Sequence, residues 1–204
     1  MATDQPNKLQ NQPPHPEKIG IFGGTFDPIH HGHLILAREA KEELELDRMI
    51  FVPAAASPHK LNQIFAPAEV RLEMLTIALA GEAGFECSAL ELQRPPPSYA
   101  IDTVAACRLT HPTAEFFCVV GDDHLDRLST WHRFEELSKS VQFVVLNRGG
   151  LSPGHPYPRI QRRLDISATD IRKRVATGRS IRYLVPPAVA EIIRNRQLYR
   201  ESYQ

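Results

Sequence analysis

No stretch of the 204-residue chain supplies the roughly 18 consecutive apolar residues that a membrane-spanning helix needs. The opening segment, MATDQPNKLQNQPPHPEK, likewise has no apolar core of signal-peptide length. A soluble, cytoplasmic protein is therefore expected. An excess of either charge is missing as well. Twenty-four Lys and Arg residues balance 24 Asp and Glu residues, so no overall field favours a polyanion such as nucleic acid, and no basic-aromatic stripe points to one. Any anion site has to be local. Cysteine is scarce, and the three present, Cys87, Cys107 and Cys118, are scattered among apolar residues without metal-ligand spacing. They read as reduced core thiols, which excludes a zinc module and a disulfide framework.

What is present is an alternation of short apolar runs with amphipathic stretches. Residues 1–16, rich in Pro, Gln and Asn, are expected to form a disordered arm, and residues 17–204 a single domain. KIGIFGG reads as a buried strand, Leu34 to Leu46 as a helix, RMIFVPA as a second strand, and the run to about Pro67 as a loop. PAEVRLEMLTIALA opens a helix with proline and places Val70, Met74 and Ile77 at helical spacing. FECSALEL, EFFCVVG and VQFVVLN are further strands, with helical stretches at Ala100 to Leu109 and Phe134 to Ser138. Asn147 to Pro158 reads as a loop, and two helices follow it. Strands separated by helix-length segments predict an α/β fold, a Rossmann-like parallel sheet with helices on both faces. Ligands of such sheets bind beyond the carboxyl ends of the strands.

The segment GGTFDPIHHGH, residues 23 to 33, falls at that position, between a strand end and a helix start. It contains neither GxGxxG nor GxxxxGK[ST], so the dinucleotide fingerprint and the P-loop do not explain its glycines. Gly23 and Gly24 let a ligand approach the backbone closely, and the free N–H groups of a helix start favour phosphate. His30 and His33, three apart, fall on one face of the first turn, where both rings can donate to phosphate oxygens. The same residues are open to two other readings: surface histidines beyond a glycine turn, or, with Asp27, a shared cation. Further on, Ser167 and Asp170 form a helix-capping pattern that Gly178 would close. Asp122 suits a helix cap.

The string GGTFDPIHHGH resembles the signature of the HxGH nucleotidyltransferases, in the form found in the nicotinate mononucleotide adenylyltransferases. Four other segments are similar to that family: SPHK with Lys60, ELQRPPPSYAIDT, GDDHLDRLSTW and ISATDIRKR. The resemblance runs from about Lys18 to Tyr199. It implies the nucleotidyltransferase type of α/β fold and transfer of the adenylyl group of ATP to nicotinate mononucleotide, yielding deamido-NAD (nicotinate adenine dinucleotide) and pyrophosphate in NAD biosynthesis. It implies catalytic roles for His30, His33 and Arg172. ATP would be held by Gly23, Gly24, Thr25 and Phe26, by Gly121 and Asp123 at the ribose, and by Ser167, Thr169 and Arg172 at the phosphates. Lys60, Ser98, Tyr99, Ala100 and Trp131 would hold the mononucleotide. Ala100 stands where the family's threonine is usual, which leaves the preference for acid over amide open. Mg²⁺ is implied as a cofactor carried by ATP phosphates and water, without protein side-chain ligands. ATP and nicotinate mononucleotide are the implied partners. The competing readings are a related enzyme acting on nicotinamide mononucleotide or phosphopantetheine, and a non-catalytic nucleotide-binding regulatory module.

Overall fold

A computed structural model describes residues 15–55, 66–147 and 154–200. Of the expected arm, all but the last two residues lie outside that set. The elements in chain order are β1 (Lys18–Gly24), α1 (His31–Glu43), β2 (Arg48–Pro53), α2 (Ala68–Leu79) and β3 (Phe85–Cys87). There follow α3 (Ala100–Thr110), β4 (Glu115–Gly121), a 3-10 helix (Asp122–Thr130), α4 (Phe134–Ser140), β5 (Gln142–Asn147), β6 (Arg159–Gln161), α5 (Ala168–Ala176) and α6 (Pro187–Asn195).

The strands form one sheet in the order β3-β2-β1-β4-β5-β6, and every neighbouring pair is parallel. The strands alternate in the side they bury, as a pleated backbone requires. Met49, Phe51, Phe117, Val119, Val144 and Leu146 enter one core, which they share with α1, α2, α5 and α6. Ile50, Val52, Phe116, Cys118, Phe143 and Val145 enter the other, beneath α3 and α4. Apolar residues on both faces explain why the strands read as continuous apolar runs.

Several expectations need correction. FECSALEL is a strand only over its first three residues, Phe85–Cys87, after which the chain enters turns. Leu34 was expected to begin the first helix, which instead begins at His31, so the histidine motif itself is the helix start. In α2, Val70 and Met74 are buried as expected, whereas Ile77 is 44% exposed and Arg71 is fully buried. Directly after the loop expected up to Pro158 comes an unexpected short edge strand, β6, whose three residues were too few to show a period. Asp122 does not cap the segment it begins, because Gly121 occupies the N-cap position. No helix among the described residues is long and apolar enough to cross a membrane.

Phe51 joins the core to the site described below. Fully buried on β2, its ring lies 5.5 Å from that of Phe22, 5.8 Å from Phe26 and 5.3 Å from Phe85, centroid to centroid. Phe51→Ala is expected to lower the unfolding free energy by about 3–5 kcal/mol, measured by urea denaturation. A loss below about 0.5 kcal/mol, the range of surface substitutions, would contradict this packing.

Candidate active site

In this strand order the chain departs from the central pair β1 and β4 toward opposite edges of the sheet, so a crevice opens beyond their carboxyl ends. A cleft of about 590 Å³ occupies it, a size that suits a small organic ligand. The residues at its floor are Gly23 and Gly24 at the end of β1 and Gly121 at the end of β4.

The histidine motif is a helix cap of an unusual kind. His30 is the N-cap of α1, and its Nδ1 accepts the backbone N–H of His33 at 3.3 Å. His33 Nδ1 in turn accepts the backbone N–H of His30, also at 3.3 Å. The two rings stack with centroids 3.7 Å apart. This is the reciprocal geometry of a capping box with imidazoles in place of hydroxyl and carboxylate. A ring nitrogen that accepts carries no proton, so each ring keeps its proton on Nε2. Gly32 makes the arrangement possible: a Cβ there would stand 3.0 Å from two atoms of the His30 ring and 3.3 Å from the Ile166 carbonyl. The sequence reading placed both histidines on one helical face; the structure instead makes His30 a cap, 1% exposed, with both residues lining the cleft.

Between β1 and α1 the loop is held from behind by two arginines. Arg71 Nη1 donates to the Thr25 carbonyl at 2.7 Å, and Arg172 Nη1 to the Asp27 carbonyl at 2.7 Å. The Thr25–Phe26 peptide is trans and planar, so the Phe26 N–H points away from the carbonyl that Arg71 holds. Phe26 has a left-handed backbone, φ 49°, a conformation that costs a non-glycine residue about 1 kcal/mol or more. Its ring compensates by packing edge-on against Phe22 at 5.4 Å and His33 at 5.1 Å. Gly24 leaves space for that ring, which a Cβ would approach to 2.9 Å.

The start of α5 lies against the start of α1. Ser167 caps α5, its Oγ accepting the Asp170 N–H at 3.1 Å, as the sequence pattern predicts. Gly178 follows the helix with φ 68°. Arg172, 9% exposed, also donates from Nη2 to Thr169 Oγ1 at 3.3 Å. Arg172 is thus a brace of the loop as well as a cleft residue. On β4, a Cβ at Gly121 would collide with Asp123 Oδ1, so the glycine permits the carboxylate to fold back over the strand end.

The opposite wall is the start of α3. Ser98, Tyr99 and Ala100 line the cleft there, and the Ala55 N–H donates to Ser98 Oγ at 3.2 Å, tying α3 to the end of β2. Trp131 lines it too, edge-on to His124 at 5.9 Å and to Phe143 at 6.3 Å. Every described residue that the family resemblance assigns to the site therefore lines one cleft, while Lys60 lies outside the described residues. Sequence reasoning missed five side chains. His132 stacks on Tyr99 at 4.2 Å, and its proximity to Trp131 in the chain was the only signal. Glu91 accepts from Thr103 Oγ1 at 2.7 Å, and Arg94 donates to that same oxygen at 2.7 Å. Burial pushes the Glu91 carboxyl above its ordinary range. Arg71 and Tyr199, behind the loop, gave no sign in the sequence beyond a charge within an apolar helix. Among the described residues no group of three His, Cys, Asp or Glu could hold a metal ion, so the shared-cation reading of the histidines has no ligand set.

Comparison with known proteins agrees with this geometry. A model of the cytidylyltransferase-like family matches residues 21–174. A Geobacillus thermodenitrificans protein named probable nicotinate-nucleotide adenylyltransferase is 44% identical over 185 residues, covering 89% of this chain and 86% of that one. A Thermus thermophilus protein of the same name is 44% identical over 191 residues, covering 90% of this chain and all of the other. The structure of Plasmodium falciparum nicotinic acid mononucleotide adenylyltransferase complexed with NaAD has the same fold, with a TM-score of 0.75, 19% identity, and coverage of 90% and 97%. The fold, the cleft motifs and these relatives together establish that the chain belongs to the cytidylyltransferase-like family, within its nicotinate-nucleotide adenylyltransferase branch.

Proposed function

We propose that the cleft transfers the adenylyl group of ATP to nicotinate mononucleotide, forming nicotinate adenine dinucleotide and pyrophosphate. One observation carries the reading: the amino ends of α1, α5 and α3 converge on one cleft between β1 and β4. Helix amino ends favour anions. Two ends side by side, α1 and α5, suit a triphosphate, and a third across the cleft suits a carboxylate.

In this reading the phosphates of ATP lie along the starts of α1 and α5. His30 and His33 donate from Nε2, the Phe26 amide donates from the loop, and the Ser167 hydroxyl, already accepting the Asp170 N–H, keeps its own proton to give. Arg172 and Thr169 complete that end. Gly23 suits close contact, since a Cβ there would meet no protein atom within 4 Å. Asp123 accepts from the ribose hydroxyls. The pyridine of the mononucleotide lies near Trp131 and Tyr99, with its carboxylate at the α3 amides of Tyr99 and Ala100. A backbone amide serves there whether residue 100 is alanine or threonine. Lys60 is the remaining candidate for the mononucleotide phosphate.

The attacking group is an oxygen of the mononucleotide phosphate, largely dianionic near neutral pH because its second pKa is about 6. It bonds to the α-phosphorus as the bond to the β-phosphate oxygen breaks, and pyrophosphate leaves. No general base is required. Catalysis consists of alignment and of donors aimed at charge that builds on the α-phosphoryl and the leaving group. Among cleft carboxylates, Asp27 accepts from Tyr199 and Glu91 from Thr103, and Asp123 is the one assigned to the ribose. Magnesium fits this donor set only as an ion carried on the phosphates with its waters, since the phosphate end presents N–H and O–H donors. When bound, it offsets charge on the phosphates. A reducing, cytoplasmic setting belongs to the same proposal and is supported by the free thiols of Cys87, Cys107 and Cys118. Burial pushes Cys118, on the cleft floor, up to about 12, so it is not a nucleophile here.

The test is product analysis by mass spectrometry after incubation with ATP, Mg²⁺ and one acceptor at a time: nicotinate mononucleotide, its amide, or phosphopantetheine. Dinucleotide from the acid in large excess over the amide supports the proposal; dinucleotide from the amide alone, or adenylylated phosphopantetheine, overturns it. His33→Ala is expected to lower kcat about 10²–10³-fold, the loss typical of one transition-state donor, with the circular dichroism spectrum unchanged; turnover within twofold of the parent would remove His33 from the mechanism. Chelation with EDTA is expected to stop pyrophosphate release without shifting the Tm of the ligand-free protein, because among the described residues no side-chain cluster could hold the metal. A lowered Tm would reveal a structural ion instead.

A further inference from the structure

The catalytic reading does not use the buried polar cluster behind the loop. Tyr199, 4% exposed, donates its phenolic proton to Asp27 Oδ1 at 2.6 Å, across 172 positions of sequence. Asp27 is 3% exposed, and the fully buried Arg71 carries the charge opposite it. Arg71 donates from Nε to the Ala66 carbonyl at 3.3 Å and from Nη1 to the Thr25 carbonyl at 2.7 Å. A buried guanidinium is costly unless it is bonded, so Arg71 depends on the carbonyls of Ala66 and Thr25 that it holds. The groups facing Tyr199 are Asp27, Arg71 and Arg172, and Glu69 also acts electrostatically on Arg71. Burial and the neighbouring carboxylate keep Tyr199 protonated, hence a donor. Tyr199 reaches this position through a bent backbone: Gln197 and Tyr199, just beyond α6, have φ of 53° and 64°.

We propose that Tyr199, Asp27 and Arg71 form one unit that positions the loop between β1 and α1 for the triphosphate, making Tyr199 a positioning residue supplied by the end of the chain. The unit holds the loop at Thr25 and Asp27, the residues on either side of Phe26, whose N–H faces away from Arg71. With the hydroxyl gone, Asp27 loses this one bond to the end of the chain, and the loop shifts at the point where the phosphates bind. The consequence is confined to one end of the cleft. The start of α3 and Trp131 line the far wall. The inference rests on the proposed function in taking ATP as the ligand of that end.

Calorimetric titration tests it, with Mg-ATP and nicotinate mononucleotide as separate probes of the parent, Tyr199→Phe, Asp27→Asn and the double variant. Both substitutions preserve shape, and asparagine can still accept from Tyr199. The expected result is Mg-ATP affinity at least tenfold weaker in Tyr199→Phe, with mononucleotide affinity within twofold, and a double variant no weaker than the weaker single. A purely structural role would weaken both ligands together. Parental ATP affinity in Tyr199→Phe, losses that multiply in the double variant, or equal weakening of both ligands would overturn the proposal. Should Asp27→Asn not fold, Tyr199→Phe decides alone through its two titrations. Failure of the functional reading is seen separately: the parent would bind Mg-ATP in this experiment yet make no dinucleotide in the product analysis.

Discussion

At the start of α1 the backbone N–H of His30 is met by the His33 side chain, and the N–H of His33 is shared between the His30 carbonyl at 2.9 Å and the His30 side chain at 3.3 Å. This reciprocal cap is the interaction on which the site depends. It stabilises the helix start at the end of β1, and it consumes the Nδ1 atom of each ring, which assigns the remaining proton to Nε2. A serine or aspartate cap would satisfy the amides equally well but would present no such donors. Gly32 is required because the His30 ring lies against it. The HxGH spacing is thus one solution to two requirements, a capped helix and a pair of oriented donors.

The loop before the cap shows the same economy in its backbone. Arg71 and Arg172 each hold a carbonyl from behind, and Phe26 keeps its left-handed conformation because its ring is packed among Phe22, His33 and Phe51. Both arginines come from elements distant in the chain, α2 and α5. The cleft therefore requires the completed sheet, with its two cores, before its anion-binding end exists. A rigid, prearranged set of donors is what a reaction without a general base needs, since its barrier falls through placement and charge.

Much of this was legible in the sequence, for identifiable reasons. GGTFDPIHHGH and GDD combine glycines with polar residues at short spacing, ISATDIR groups two hydroxyls, an acid and a base in seven residues, and short spacing survives folding as proximity. The buried strands were legible because apolar runs bounded by turns are their ordinary signature. What escaped were relations over long separation. Tyr199 and Asp27 are partners across 172 positions. Arg71 gave no sign beyond a charge within an apolar helix, because its burial depends on the loop carbonyls it serves. The edge strand β6 forms because β5 offers it a free edge, and its three residues have no pattern of their own. His30 was read as a residue of the first helical turn; that it caps the helix depends on a ring orientation that spacing alone does not specify.

The central claim is that the cap leaves both imidazoles with their proton on Nε2, directed at phosphate. Nitrogen-15 NMR of the histidine rings, assigned with His30→Ala and His33→Ala and recorded with and without Mg-ATP, measures this directly. The account predicts the Nε2–H tautomer for both residues in the free protein and a shift of both Nε2 signals on adding Mg-ATP but not on adding nicotinate mononucleotide alone. A proton on Nδ1 of either ring, or Nε2 signals that Mg-ATP leaves unmoved, would contradict it.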